Sequence, residues 1–130
     1  MTGRYTTPTA DHRIQSGVLL APAWSFLFDR AGLAEVRAPL LIERGSRDQF
    51  VIEPDNALHI ISLLPVKPAT EVVDGATHYS FLAPCGAVLA RVVPEICTDP
   101  PGFSRSLMHA KLDATIVQFF ERTLPKAPTT

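Results

Sequence analysis

Two residues in this chain have the types and the spacing to do chemistry together. Asp48 stands in G-S-R-D, just past the apolar run L-L-I, and His78 stands thirty residues later in G-A-T-H-Y-S, just past the run A-T-E-V-V-D-G. A carboxylate beside an imidazole accepts a hydrogen bond from one ring nitrogen and fixes the tautomer, leaving the other nitrogen free to take a proton from a nucleophile. That is two thirds of a catalytic triad. Plainer roles are open to both: Asp48 can brace the turn after Gly45, and His78 can cap a loop. Asp55 and Asp74 are weaker rivals for the acid, Asp74 because it precedes its turn too early. His12, His59 and His109 fall in a tail, in a helix and near a helix start, where surface or packing roles are expected.

The elements that must position this pair follow from hydrophobic runs and their punctuation. Ile14 to Leu20 reads as a first strand buried on both faces, closed by Pro22. Leu40 to Ile42 forms a second, opened by Pro39 and ended by Gly45, and A-T-E-V-V-D-G a third, stopped at Gly75. Between the first two, Trp24 to Val36 suits a short helix or covering loop, with Trp24, Phe26 and Phe28 expected in the core rather than lining a pocket. Between the second and third, Pro54 opens a helix with Leu58, Ile61 and Leu64 on one face. Ala87 to Val93 gives one or two helical turns. A last helix capped by Ser104 carries Met108, Leu112, Ile116 and Phe119 as one apolar stripe. Strands alternating with helices predict an α/β fold, a parallel sheet of about three strands with helices on both faces. In such sheets functional groups gather beyond the carboxyl ends of the strands, where Asp48 and His78 both fall.

Composition narrows the function. The 130 residues suffice for one domain, expected over residues 13–125 between flexible tails at 1–12 and 126–130. Twelve Lys and Arg against thirteen Asp and Glu, with no basic run, give no surface that would track a phosphate backbone, so nucleic acid is not an expected partner. Apolar runs fall far short of the ~20 residues a membrane helix needs, and no export signal is visible, so a soluble cytoplasmic protein is expected. Cys85 and Cys97 match no zinc motif. They can bridge the Pro-rich segment or remain buried thiols, and the expected compartment favours thiols.

The residues around the pair resemble the C-terminal part of an α/β-hydrolase, most closely the dienelactone hydrolase-like group. The stretches that carry the resemblance are D-H-R-I near Asp11, P-L-L-I-E-R-G-S-R-D at Pro39 to Asp48 and G-A-T-H-Y-S-F-L-A-P-C at Gly75 to Cys85. It continues through I-C-T-D at Ile96 to Asp99 and F-S-R-S-L-M-H at Phe103 to His109, so that it covers Asp11 to Leu124. The resemblance implies a truncated α/β-hydrolase sandwich with Asp48 as the triad acid and His78 as the general base. It further implies hydrolysis of a small carboxylic ester or lactone by a serine or cysteine, with no metal or cofactor.

The chain departs from that family at the nucleophile. Members carry a G-x-S-x-G or G-x-C-x-G elbow upstream of both residues, and none of Ser16, Ser25, Ser46, Ser62, Ser80, Ser104 and Ser106 sits in one. Ser16 lies within the first strand, where its hydroxyl points into packing, and Cys85 follows His78 rather than preceding it. Inactivity or weak activity alone is therefore expected. The first strand would be the family's sixth, its outer edge unpaired, so a homo-oligomer or a complementing N-terminal half is expected there. The alternative is a non-catalytic assembly module that uses the same edge.

Overall fold

Three short runs, G-V-L-L, L-L-I-E-R-G and A-T-E-V-V, pair in sequence order into one parallel sheet: β1 (Gly17–Leu20), β2 (Leu40–Gly45) and β3 (Ala69–Val73). The computed structural model describes residues 11–125, so the tail expected at 126–130 and residues 1–10 of the tail expected at 1–12 lie outside the described residues. The register sets Gly17 opposite Leu40 and Leu41 opposite Ala69. As the central strand, β2 is covered on both faces, and Leu41, Ile42 and Glu43 are all buried. The outer strands are not. β1 is half-buried along its length and β3 is exposed except at Val73. The first strand is thus shorter than the expected Ile14 to Leu20, and Ile14 is 65% exposed, because a strand with one neighbour is shielded from one side only.

Parallel strands require crossover connections. The second of these contains α1 (Ala57–Leu63), whose Ala57 and Ile60 pack on Ile42 with Leu19, Leu33, Ile61 and Leu64 around them. Of the expected face of Leu58, Ile61 and Leu64, the last two pack around this core, while Leu58 turns outward because the small Ala57 and Ile60 take the places closest to the sheet. The helix begins three residues beyond Pro54, where the Glu53 carboxylate accepts the Leu58 N–H at 3.0 Å and satisfies one of its orphan donors. The first crossover holds only a 3-10 turn (Ser25–Leu27). Trp24 and Phe26 are 69% and 58% exposed, and Phe28 is exposed as well, against the expectation that they form core. Trp24 and Phe26 lie against each other, ring centres 6.0 Å apart, while Ser25 takes the buried position.

Three further helices follow β3: α2 (Ala87–Val92), α3 (Pro94–Cys97) and α4 (Arg105–Thr123). Met108, Leu112 and Phe119 of α4 are buried, as the sequence periodicity requires, with Ile116 half-buried, and Ser104 caps its first turn through the Leu107 N–H. Side chains alternate across a strand, so α1 covers the Ile42 face of β2 and α4 the Glu43 face. Together they make the α/β sandwich expected from the sequence. Arg105 ties α3 to the start of α4. Its side chain donates to Asp99 Oδ1 and to the Ile96 carbonyl, both at 2.9 Å, and its backbone N–H to Asp99 Oδ2.

Two polar features stand out in this packing. Cys85 and Cys97 form a disulfide across the segment holding α2 and α3, correcting the expectation of free thiols: the turn before α2 and the end of α3 bring the two Cα atoms to 5.6 Å. Under α4, Glu43 is only 2% exposed, and its Oε1 has no hydrogen-bond partner. Burial raises its pKa to about 7, with the adjacent Glu71 of β3 as the smaller cause.

Candidate functional site

The loops after β2 and β3 are joined backbone to backbone before any side chain enters. Ser46 N–H donates to the Val73 carbonyl and Arg47 N–H to the Ala76 carbonyl, at 3.0 and 2.9 Å. Gly45 makes this approach possible, since a Cβ at that position would lie 2.3 Å from the Ala76 oxygen. Gly75, at φ 75°, provides the left-handed turn that brings Ala76 back toward β2. Ser46 Oγ seals the junction, accepting from the Gly75 N–H at 2.8 Å and donating to Asp74 Oδ1 at 3.0 Å. Asp74, a rival for the acid role, is committed here.

From that frame the two sequence-selected residues converge. Asp48 Oδ2 lies 3.0 Å from His78 Nδ1. Asp48 Oδ1 accepts the backbone N–H groups of Phe50 and Val51 at 2.9 and 2.8 Å, which fixes the carboxylate by its other oxygen. The Asp48 side chain is 5% exposed and that of His78 30%. A carboxylate only accepts, so the proton of this contact belongs to Nδ1 and the neutral imidazole presents the lone pair of Nε2. Among the described residues no hydroxyl or thiol is hydrogen-bonded to the His78 ring. Ser16, at the opposite end of β1, is paired with Thr123 Oγ1 at 2.7 Å, and Cys85 is in its disulfide.

His78 begins a second 3-10 turn (His78–Phe81), and what holds that turn escaped the sequence reading. Thr77 and Ser80 form a reciprocal capping box in which Ser80 Oγ accepts the Thr77 N–H at 3.0 Å, with Ser80 itself fully buried. The signal was present as T-H-Y-S, a Thr followed three residues later by a polar side chain able to reach back. Phe50 and Tyr79, with ring centres 5.0 Å apart, stand 6.2 and 5.8 Å from the imidazole and form an aromatic rim. No periodicity marks such a rim, because its members come from two loops.

Hollows among the described residues lie elsewhere. A shallow hollow of about 700 Å³ on the outer side of α4 is bounded by Val117, Phe120, Leu124 and neighbours, and one of about 60 Å³ lies between Glu43, Glu71 and α4. Neither is lined by Asp48 or His78. Among the described residues no three His, Cys, Asp or Glu side chains gather in a way that could hold a metal ion, and no helix is long and apolar enough to cross a membrane.

Fold and site together define an α/β protein with an acid–histidine pair on the loops beyond the carboxyl ends of adjacent parallel strands. No family model matches the sequence, and a search of curated proteins gives no match. Among solved structures the chain has a likeness to the peroxisomal alpha-beta-hydrolase Lpx1 of Saccharomyces cerevisiae. The identity is 16% and the TM-score 0.33, over 75% of this chain and 29% of that one. The chain spans less than a third of that protein's length.

Proposed function

We propose that this chain is the C-terminal portion of an α/β-hydrolase of the dienelactone hydrolase-like kind, in which Asp48 orients His78 and His78 is the general base. The substrate class is a small carboxylic ester or lactone. The observation that carries the reading is the Asp48–His78 hydrogen bond, with the far carboxylate oxygen held by two backbone amides and Nε2 left free. In the reaction Nε2 takes the proton of a serine or cysteine as its Oγ or Sγ attacks the ester carbonyl, then returns it to the departing alkoxide. The nucleophile and oxyanion donors come from polypeptide outside this sequence, which has no G-x-S-x-G or G-x-C-x-G. Without them the covalent step and its main electrostatic stabilisation are missing, and the chain alone turns over weakly. A cytoplasmic location, expected from the sequence, would expose the Cys85–Cys97 bridge to reducing thiols, so there the protein would work with that loop open.

The experiment is co-expression with an N-terminal half of a related hydrolase carrying the elbow, assayed on an activated acetate ester. Turnover is expected only from the pair, falling on the order of 10⁴-fold in His78→Ala. Robust turnover by the chain alone that His78→Ala abolishes would refute the need for a second part.

A non-catalytic reading has one observation in its favour. β1 reads G-V-L-L, with neither charge nor proline, and its outer edge pairs with no strand among the described residues, while the edge strand at the other side of the sheet, β3, carries Glu71. Uncharged edges invite another strand. Sedimentation at micromolar concentration tests this: a clean monomer that binds no partner counts against it.

A further inference from the structure

His109, on the first half of α4, lies far from the triad candidates in sequence and next to their support in space. Its Nε2 is 3.0 Å from the Ser80 carbonyl, in a partly buried contact. A carbonyl only accepts, so Nε2 carries a proton and donates it. Within the 3-10 turn, Ser80 N–H bonds the Thr77 carbonyl and Leu82 N–H the Tyr79 carbonyl, so neither turn bond uses the oxygen of Ser80. Ser80 is fully buried, and a buried carbonyl without a donor costs about 1–3 kcal/mol. His109 is the donor that α4 offers it.

We infer that His109 is a positioning residue, anchoring the His78 turn to α4 so that the imidazole of His78 stays in register with Asp48. The inference rests on the reading of His78 as the general base. Three constraints act on the turn from different elements. The capping box closes it from within, the Arg47-to-Ala76 hydrogen bond holds its approach to β2, and His109 holds its far side to the long helix. Only the last crosses from the turn to α4, so it decides whether the turn moves with the sheet and helix as one body. Hydrogen bonding to Nδ1 is sensitive to small displacements, and a ring shifted by about 1 Å leaves the 2.7–3.2 Å range in which N–H···O bonds form.

The test uses imidazole-¹⁵N-labelled protein and the Nδ1–H proton of His78 by NMR. In the wild type this proton is expected to be downfield and protected from solvent, and Asp48→Ala assigns it by removing it. His109→Leu is expected to speed its exchange at least tenfold while the far-UV spectrum is retained, and His109→Gln, whose amide can donate to the same carbonyl, to restore protection. Unchanged exchange in His109→Leu would overturn the inference. If His109→Leu does not fold, His109→Gln decides: a protected signal supports the anchor, and its loss in a folded protein refutes it. Failure of the complementation assay would leave these signals untouched, so the two readings fail separately.

Discussion

Replacing Glu43 by Gln tests the most unusual group in the core. Glu43 lies on β2 under α4, 2% exposed, with Oε1 unpartnered, Glu71 beside it across the ladder, and Met108, Lys111, Leu112 and Thr115 of α4 bounding the small cavity there. Its pKa is raised from 4.5 to about 7, first by burial and then by Glu71. The folded state therefore holds a proton that the unfolded chain releases as pH rises above 4.5. Stability contributed by that proton is fully present below pH 4.5, declines between 4.5 and about 7, and is lost above about 7. At 1.36 kcal/mol per unit, the wild type loses at most about 3 kcal/mol across this window. Gln has nearly the same shape and does not ionise. Glu43→Gln is expected to match the wild type near pH 4.5 and exceed it by up to about 3 kcal/mol at pH 8, or on the order of 10 °C in Tm for a domain of this size. Urea titrations at half-unit pH intervals measure this directly. A stability difference independent of pH, or a variant weaker than the wild type at pH 8, would refute the assignment of Glu43 as a buried carboxyl held neutral by the fold.

Two further perturbations address the site and its surroundings. Gly45→Ala places a methyl 2.3 Å from the Ala76 oxygen and must separate the two site loops. A loss of about 3 kcal/mol in urea unfolding is expected, together with disappearance of the protected His78 proton. Retention of both would mean that the loops tolerate a wider spacing. Reducing Cys85–Cys97 opens a short loop whose α2 has no buried residue, at a cost of about 3 kcal/mol in the chain-entropy account. The expected result is rapid protease cleavage within Ala87–Val92 under dithiothreitol, while fragments containing β2 and α4 stay intact. Equal resistance of oxidised and reduced protein would show that packing, not the bridge, holds this segment.

The extent to which the sequence foretold the molecule differs from element to element for physical reasons. β2 was legible because Leu40 to Ile42 is an apolar run set between Pro39 and Gly45, and β3 because the β-branched Thr70, Val72 and Val73 lead up to the stop at Gly75. α4 was legible because Ser104 and the spacing of Met108, Leu112 and Phe119 encode its cap and inner face locally. The aromatics at Trp24 to Phe28 were misjudged, since hydrophobicity states a preference for burial but cannot supply the element that would cover them. In short α1, Ile61 and Leu64 face inward as their spacing requires but Leu58 does not, for a related reason: Ala57 is inside because the helix comes close to Ile42, a fact about the sheet rather than about the helix.

Residue type, periodicity and loop position are properties of neighbours along the chain, and from them come the alternation of strands and helices, the last helix, and the choice of Asp48 and His78 as candidates. Packing alone brings these two to 3.0 Å, joins Cys85 to Cys97, buries Glu43 with its Oε1 unpartnered, and sets His109 against the Ser80 carbonyl. Each of those joins groups from separate elements, and their distances are fixed by how the sheet and helices pack, which no local pattern encodes.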